Sequence, residues 1–155
     1  MEAYKNACML VKQEYTDLSG QLLTDEIFIY NLERYQEHLF TIMKKDNFMI
    51  LLEKSTMYYN ILVNLAILSL KMLVIKSNKT SEMIMDGNRD LFEAKNSDYG
   101  NSFEDFGLIG ILVRLNDKIN RLKSITQNGI NVNDEKLEDT INDLYNYCVI
   151  GLSFK

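Results

Sequence analysis

The chain predicts an all-α fold, a helical bundle, and three observations carry that expectation. No proline occurs in its 155 residues, so nothing forbids long helices. Apolar residues recur three and four positions apart along the chain, the spacing of a helix with one buried stripe. No stretch shows the strict alternation of a half-buried strand. Hydrophobic residues make up 46% and charged residues 25%, a globular balance, and the length suits a single domain over residues 1–155.

Residues 2–18 give the first predicted helix, with Ala3, Ala7, Leu10, Val11 and Leu18 as its apolar stripe and Ser19-Gly20 as its break. Thr24 or Asp25 can cap a second helix that runs to about Lys44. Asp46 can cap a third, continuous from Phe48 to Lys76. The polar run Ser77-Asn78-Lys79-Thr80 interrupts it. A fourth helix follows over Ser81–Lys95, with Gly87 as a candidate break. Asn96–Phe106 is polar and contains Gly100, so it reads as a loop whose backbone can approach a ligand. Gly107–Thr126 is a strongly periodic helix that Asn128-Gly129 ends. Asn133 or Asp134 caps the last helix, which runs to about Leu152 with acids in its first turn.

Charge and composition narrow the function classes. A net charge of -5 supplies no basic field, so nucleic acid is an unlikely partner. The run Met57–Ile75 is apolar enough to be tested as a membrane span. Asn60, Asn64 and Lys71 interrupt it on one helical face, which predicts a core helix with a polar edge and no membrane association. Cys8 and Cys148 lie far apart among apolar residues and read as buried thiols of a reducing compartment. Met1-Glu2 and the polar residues after them show no secretory signal, so the cytoplasm is the expected location.

The candidate chemistry lies in the C-terminal half. Arg114, Asp117, Lys118 and Arg121 stand at offsets of zero, three, four and seven and share one helical face. One reading is a solvated face laced by ion pairs worth about 0.2–0.5 kcal/mol each. The other makes Arg114, Lys118 and Arg121 phosphate ligands, since a guanidinium donates two parallel hydrogen bonds to phosphate, with Asp117 holding them or a metal. On the last helix Glu135, Asp139 and Asp143 recur every four residues, with Glu138 and Asn142 in the adjacent row. The helix dipole accounts for acids in the first turn but not for Asp143, and hard oxygen ligands of this kind suit magnesium or manganese. Around Gly100, Asn96, Asp98, Tyr99, Asn101 and Ser102 are either turn formers or a surface for a base, with Tyr99 placed to stack on it. His38 has no metal-ligand spacing, and there is no Gly-rich phosphate loop, zinc pattern or nucleophile elbow.

Three motifs in one order, Lys95-Asn96-x-Asp98-Tyr99-Gly100, Arg114-x-x-Asp117-Lys118-x-x-Arg121-Leu122 and Asp134-Glu135-x-x-x-Asp139-Thr140-x-x-Asp143-Leu144, resemble the nucleotide-modification-associated domain, type one. That domain is found in bacteriophages and prophages. The resemblance covers about residues 85–152, and residues 1–80 are a helical part of unknown role. It implies a bundle of the MazG-like nucleotide pyrophosphohydrolase type, usually a homo-oligomer, in which acids from two helices surround magnesium and a nucleoside triphosphate is cleaved to monophosphate and pyrophosphate. Asp139 and Asp143 match the acidic pair of the second metal helix. On the first, basic residues stand where that group has glutamates, and Asp117 is the ligand candidate.

The leading expectation is therefore a phage-type protein that binds a nucleotide or nucleotide-derived molecule, with pyrophosphohydrolase activity as its extension. Asp117, Asp139 and Asp143 would hold magnesium. Arg114, Lys118 and Arg121 would grip phosphates, and Lys95, Asn96, Asp98 and Tyr99 would complete the substrate side. Glu135 or Glu138 would orient the attacking water. A second expectation is a binding protein without turnover that sequesters a nucleotide-like immune signal. A third is structural: Arg114, Asp117, Asp139 and Asp143 as a buried ion-pair network that fixes helix packing.

Overall fold

The computed structural model describes residues 2–15, 23–45, 55–99, 102–127 and 134–153. Among them every regular element is a helix: α1 (Glu2–Glu14), α2 (Asp25–Lys45), α3 (Ser55–Ser77), α4 (Ser81–Tyr99), α5 (Ser102–Gln127) and α6 (Asp134–Ser153). The all-α expectation holds.

Local chemistry sets the boundaries. Thr24 is the cap of α2: its side-chain oxygen accepts from the Ile27 amide at 3.2 Å and its carbonyl from Phe28 at 2.9 Å, and Asp25 and Glu26 follow in the first turn, where carboxylates favour the helix dipole. Thr80 repeats the device for α4, accepting from the Met83 amide at 3.2 Å. Asn78, just past α3, has φ 57, a left-handed conformation that asparagine tolerates at a helix end. The predicted first helix ends at Glu14, and Ser19-Gly20, Asp46, Asn128-Gly129 and Asn133 lie outside the described residues.

Two expectations are corrected. Gly87 does not break α4, which runs through it to Tyr99. Asn96–Phe106 is not a loop throughout: Asn96–Tyr99 continue α4, and α5 begins at Ser102. The break falls instead at Gly107, where φ 55 and ψ -149 kink α5. Only glycine adopts that conformation without strain, so five residues read as loop form a first turn leading into the kink.

Helices α3 and α6 pack against each other over the longest contact and make the centre. Helices α1 and α5 lie on α6, α2 bridges α3 and α5, and α4 lies along α3 and reaches α6. Leu62, Leu65, Leu70 and Leu73 of α3 meet Ile141, Leu144, Cys148 and Val149 of α6 within one buried cluster. Each such aliphatic side chain contributes about 1.5–3 kcal/mol by leaving water. At Gly151 the neighbouring helices leave no room for a side chain: a Cβ there would lie 2.9 Å from Leu62 Cδ1 and 3.1 Å from Ile111 Cγ2.

The stretch Tyr58–Ser77 is long and apolar enough to cross a membrane, and 56% of its window is buried inside the protein. Asn60 and Asn64 are exposed and Lys71 half-buried, which reproduces the polar edge read from the sequence. The N-terminal helices also join the C-terminal ones. The Tyr4 hydroxyl donates to Asn146 at 2.7 Å, and the Tyr59 hydroxyl to the Leu152 carbonyl at 2.8 Å.

Candidate ligand-binding cleft

Between α4 and α6 lies a cleft of about 480 Å³, within the size range of small-molecule sites. Helix α6 contributes Glu138, Asp139, Asn142 and Asp143, and α4 contributes Met83, Ile84, Gly87, Asn88 and Leu91. Leu73, Ser77 and Lys79 close it from the end of α3 and its connector. The spacing explains the α6 side: residues 138 and 142, and 139 and 143, are one turn apart and present two parallel polar rows. On α4, Gly87 leaves open space where a side chain would stand, so the α4 wall is low at its middle turn.

The floor is a chain of hydrogen-bonded amides. Asn88 is 5% exposed. Its carboxamide nitrogen donates to the Ile84 carbonyl at 2.9 Å and to Asn142 Oδ1 at 3.0 Å. The Asn146 nitrogen donates to Asn88 Oδ1 at 2.9 Å, and the Tyr4 hydroxyl to Asn146 Oδ1. Tyr4 is buried and stacked on Phe92, with ring centroids 4.2 Å apart. Burial first, then the Cys8 thiol beside it, pushes its phenol well above the ordinary value, so it stays a proton donor. Buried polar groups satisfied in a chain of this kind are held in one orientation.

The residues singled out from the sequence separate into groups. Glu138, Asp139 and Asp143 all line the cleft. Lys118 crosses from α5 to Asp143 at 3.0 Å. Arg114, Asp117 and Arg121 are exposed on α5 and are not among the described lining residues; Arg114 stands 6.0 Å over the Tyr147 ring. Among the described residues Lys118–Asp143 is the ion pair that joins α5 to α6, and Glu138, Asp139 and Asp143 line the cleft towards α4. Lys95, Asn96, Asp98 and Tyr99 fall on the last turns of α4 and Glu135 on the first turn of α6, with their side chains outside the described residues. The buried ion-pair network is corrected: Arg114, Asp117 and Asp139 are exposed and Asp143 is partly so, because all four sit on helix faces turned from the apolar core.

Among the described residues no three carboxylate, thiol or imidazole groups converge as a metal-ligand set. Asp139 and Asp143 line the cleft, and Asp117 is not among its described lining residues. Cys8 and Cys148 are free thiols. Cys148 is buried as expected and Cys8 half-buried, and burial raises the pKa of both.

Asn88, Asn146, Tyr4, Ser77 and Lys79 were not singled out from the sequence. Asn142 and Asn146 did carry a signal, two carboxamides one turn apart on an otherwise acidic and apolar helix. Asn88 and Tyr4 carried none, because the chain they complete joins residues 54 and 142 positions apart. A second amide seam, from buried Gln36 to Asn116 at 2.6 Å and Asn120 at 2.9 Å, ties α2 to α5 away from the cleft.

No curated protein and no solved structure matches the chain. Residues 95–153, which hold the end of α4, all of α5 and α6 and the acidic wall of the cleft, match the family described as nucleotide modification associated domain 1.

Proposed function

We propose that the protein binds a nucleotide in the α4–α6 cleft. The observation that carries this reading is the wall itself. Glu138, Asp139, Asn142 and Asp143 belong to the segment that matches a nucleotide-modification family, and they line one cavity of mononucleotide size together with buried Asn88. Lys79 supplies a cation for phosphate, and Lys118 offsets Asp143.

Glu138 and Asp139 would hold a magnesium ion that enters with the phosphates, since one or two carboxylates plus phosphate oxygens are the usual magnesium donors. The ion would offset phosphate charge against the acidic wall. On this reading the frame is of the MazG-like kind, the active form a homo-oligomer, and the setting the cytoplasm of a cell carrying a phage or prophage, where nucleotides are the substrate pool.

One observation favours capture without turnover over pyrophosphate release. Asp143, which a metal-assisted hydrolase would use as a ligand, is already engaged by Lys118 at 3.0 Å. Calorimetric titration with a panel of deoxynucleoside mono- and triphosphates, with and without magnesium, tests the binding. Binding that Asp139→Asn weakens is expected, and the absence of binding across the panel refutes the proposal. Heating the loaded protein then distinguishes the two modes: capture returns the intact nucleotide, hydrolysis returns monophosphate and pyrophosphate.

A further inference from the structure

Two contacts fix the register of α5 against α6. Arg114 of α5 stands over the Tyr147 ring at 6.0 Å. One turn on, Lys118 meets Asp143 at 3.0 Å. One turn forward on α5 is therefore one turn back on α6, and the two helices run antiparallel along this crevice. The next turn follows from that register: Arg121 comes level with Asp139 and Thr140. Its direction follows as well. Arg121 lies seven positions after Arg114, so the two point within about 20° of each other around the helix, and Arg114 leans on α6.

Asp139 lines the cleft. Both it and Arg121 are exposed, and among the described residues no ion pair engages either. Lys118 already spans the crevice from α5 to one carboxylate of the cleft. The longer side chain of Arg121 has the same gap to cross one turn away. Charge supplies the reason to cross it. The described lining carries Glu138, Asp139 and Asp143 against Lys79, and with Lys118 counted the acids still outnumber the bases. A phosphate at this wall needs a further cation, and a guanidinium donates two parallel hydrogen bonds to phosphate.

We propose that Arg121 is the phosphate-binding arginine of the cleft, reaching it past Asp139 from the α5 side as Lys118 reaches Asp143. This rests on the nucleotide reading above and adds the residue that holds the charged end of the ligand. It also separates Arg121 from Arg114, which the same register places level with Tyr147, one turn beyond Asp143, the last α6 residue described in the lining.

The test is calorimetric titration of the full chain, with magnesium, against the deoxynucleoside mono- and triphosphates, for the wild type, Arg121→Gln, Arg121→Lys and Arg34→Gln. Arg34 is an exposed arginine of α2 outside the described lining, and its replacement removes the same charge. Arg121→Gln is expected to weaken nucleotide binding about tenfold or more, the effect of losing hydrogen bonds to a charged group. Arg121→Lys should fall between Arg121→Gln and the wild type, because lysine keeps the charge and loses the fork. Arg34→Gln should leave affinity within about twofold, since solvent screens a remote surface charge. Arg121→Gln should shift the melting temperature by no more than about 2 °C, a bound that a residue acting through the fold would exceed. Unchanged affinity in Arg121→Gln, or an equal loss in Arg34→Gln, overturns the assignment of Arg121 and leaves the nucleotide site standing. No wild-type affinity for any of the nucleotides overturns both.

Discussion

Asp143→Asn separates a ligand-facing ion pair from a structural one. Lys118 and Asp143 lie 3.0 Å apart, but their side chains keep 23% and 39% of their exposure. Water and salt therefore screen the pair, and pairs of this kind contribute about 0.2–1 kcal/mol. Asparagine preserves an oxygen for the Lys118 ammonium, so the loss belongs in the lower part of that range. For a domain of this size, 1 kcal/mol corresponds to roughly 2–4 °C in melting temperature. The variant should thus melt no more than about 4 °C below the wild type, and the difference should shrink as salt is added. Nucleotide affinity should change by more than stability does, because Asp143 lines the cleft. Thermal melts by circular dichroism at low and high salt, paired with calorimetric titration, read both quantities. A pair essential to the fold would instead cost about 3–5 kcal/mol when one partner is removed. A fall of about 10 °C or more, insensitive to salt and without any change in ligand affinity, would refute the argument.

Two further outcomes follow from packing and burial. Gly151→Ala gains about 1 kcal/mol of helix propensity, but its methyl group would sit 2.9 Å from Leu62 Cδ1 and 3.1 Å from Ile111 Cγ2. Overpacking costs about 1–3 kcal/mol, so the urea midpoint should fall, and a rise would show that the α3–α6 contact yields easily. Stability should also decline at alkaline pH. Burial raises the Tyr4, Tyr58 and Tyr145 phenols and the Cys148 thiol, so the folded state holds these protons after the unfolded chain releases them. Their contribution is fully present below the ordinary thiol value of 9.0 and phenol value of 10.0, and is lost as pH rises above those values. Urea midpoints measured from neutral pH to above 10.0 check this, and a flat profile would show that these groups are not protected.

The helices were legible because their signals are local. Thr24, Thr80 and Asn78 act within three or four residues of themselves, and the apolar period that builds α3 and α6 repeats within each helix. For the same reason Asn96–Phe106 reads as a loop, and the kink at Gly107 has no sign in the sequence. Polar residues around Gly100 have the composition of a loop, whereas a left-handed glycine between two helical stretches leaves no compositional mark. Of the candidate residues, Asp139 and Asp143 reached the cleft because their four-residue spacing places them on one face of α6, with Glu138 in the adjacent row. Arg114, Asp117 and Arg121 share a face equally well, yet that face looks outward. Spacing tells which side chains travel together and not which neighbour they meet.

Helical class, the Thr24 cap, the buried thiol of Cys148 and the polar edge of Tyr58–Ser77 depend on the chain's own order of residues, and the sequence alone determined them. The cleft depends on α4 crossing α6, and its floor on Tyr4, Asn88, Asn142 and Asn146 arriving at one line from three helices. Only the tertiary structure could decide that, because a hydrogen bond between residues 142 positions apart is specified by the packing of every helix between them. The Ile84 carbonyl orients the Asn88 carboxamide within α4 at 2.9 Å, and the packing of α4 on α6 then brings Asn142 within 3.0 Å of it.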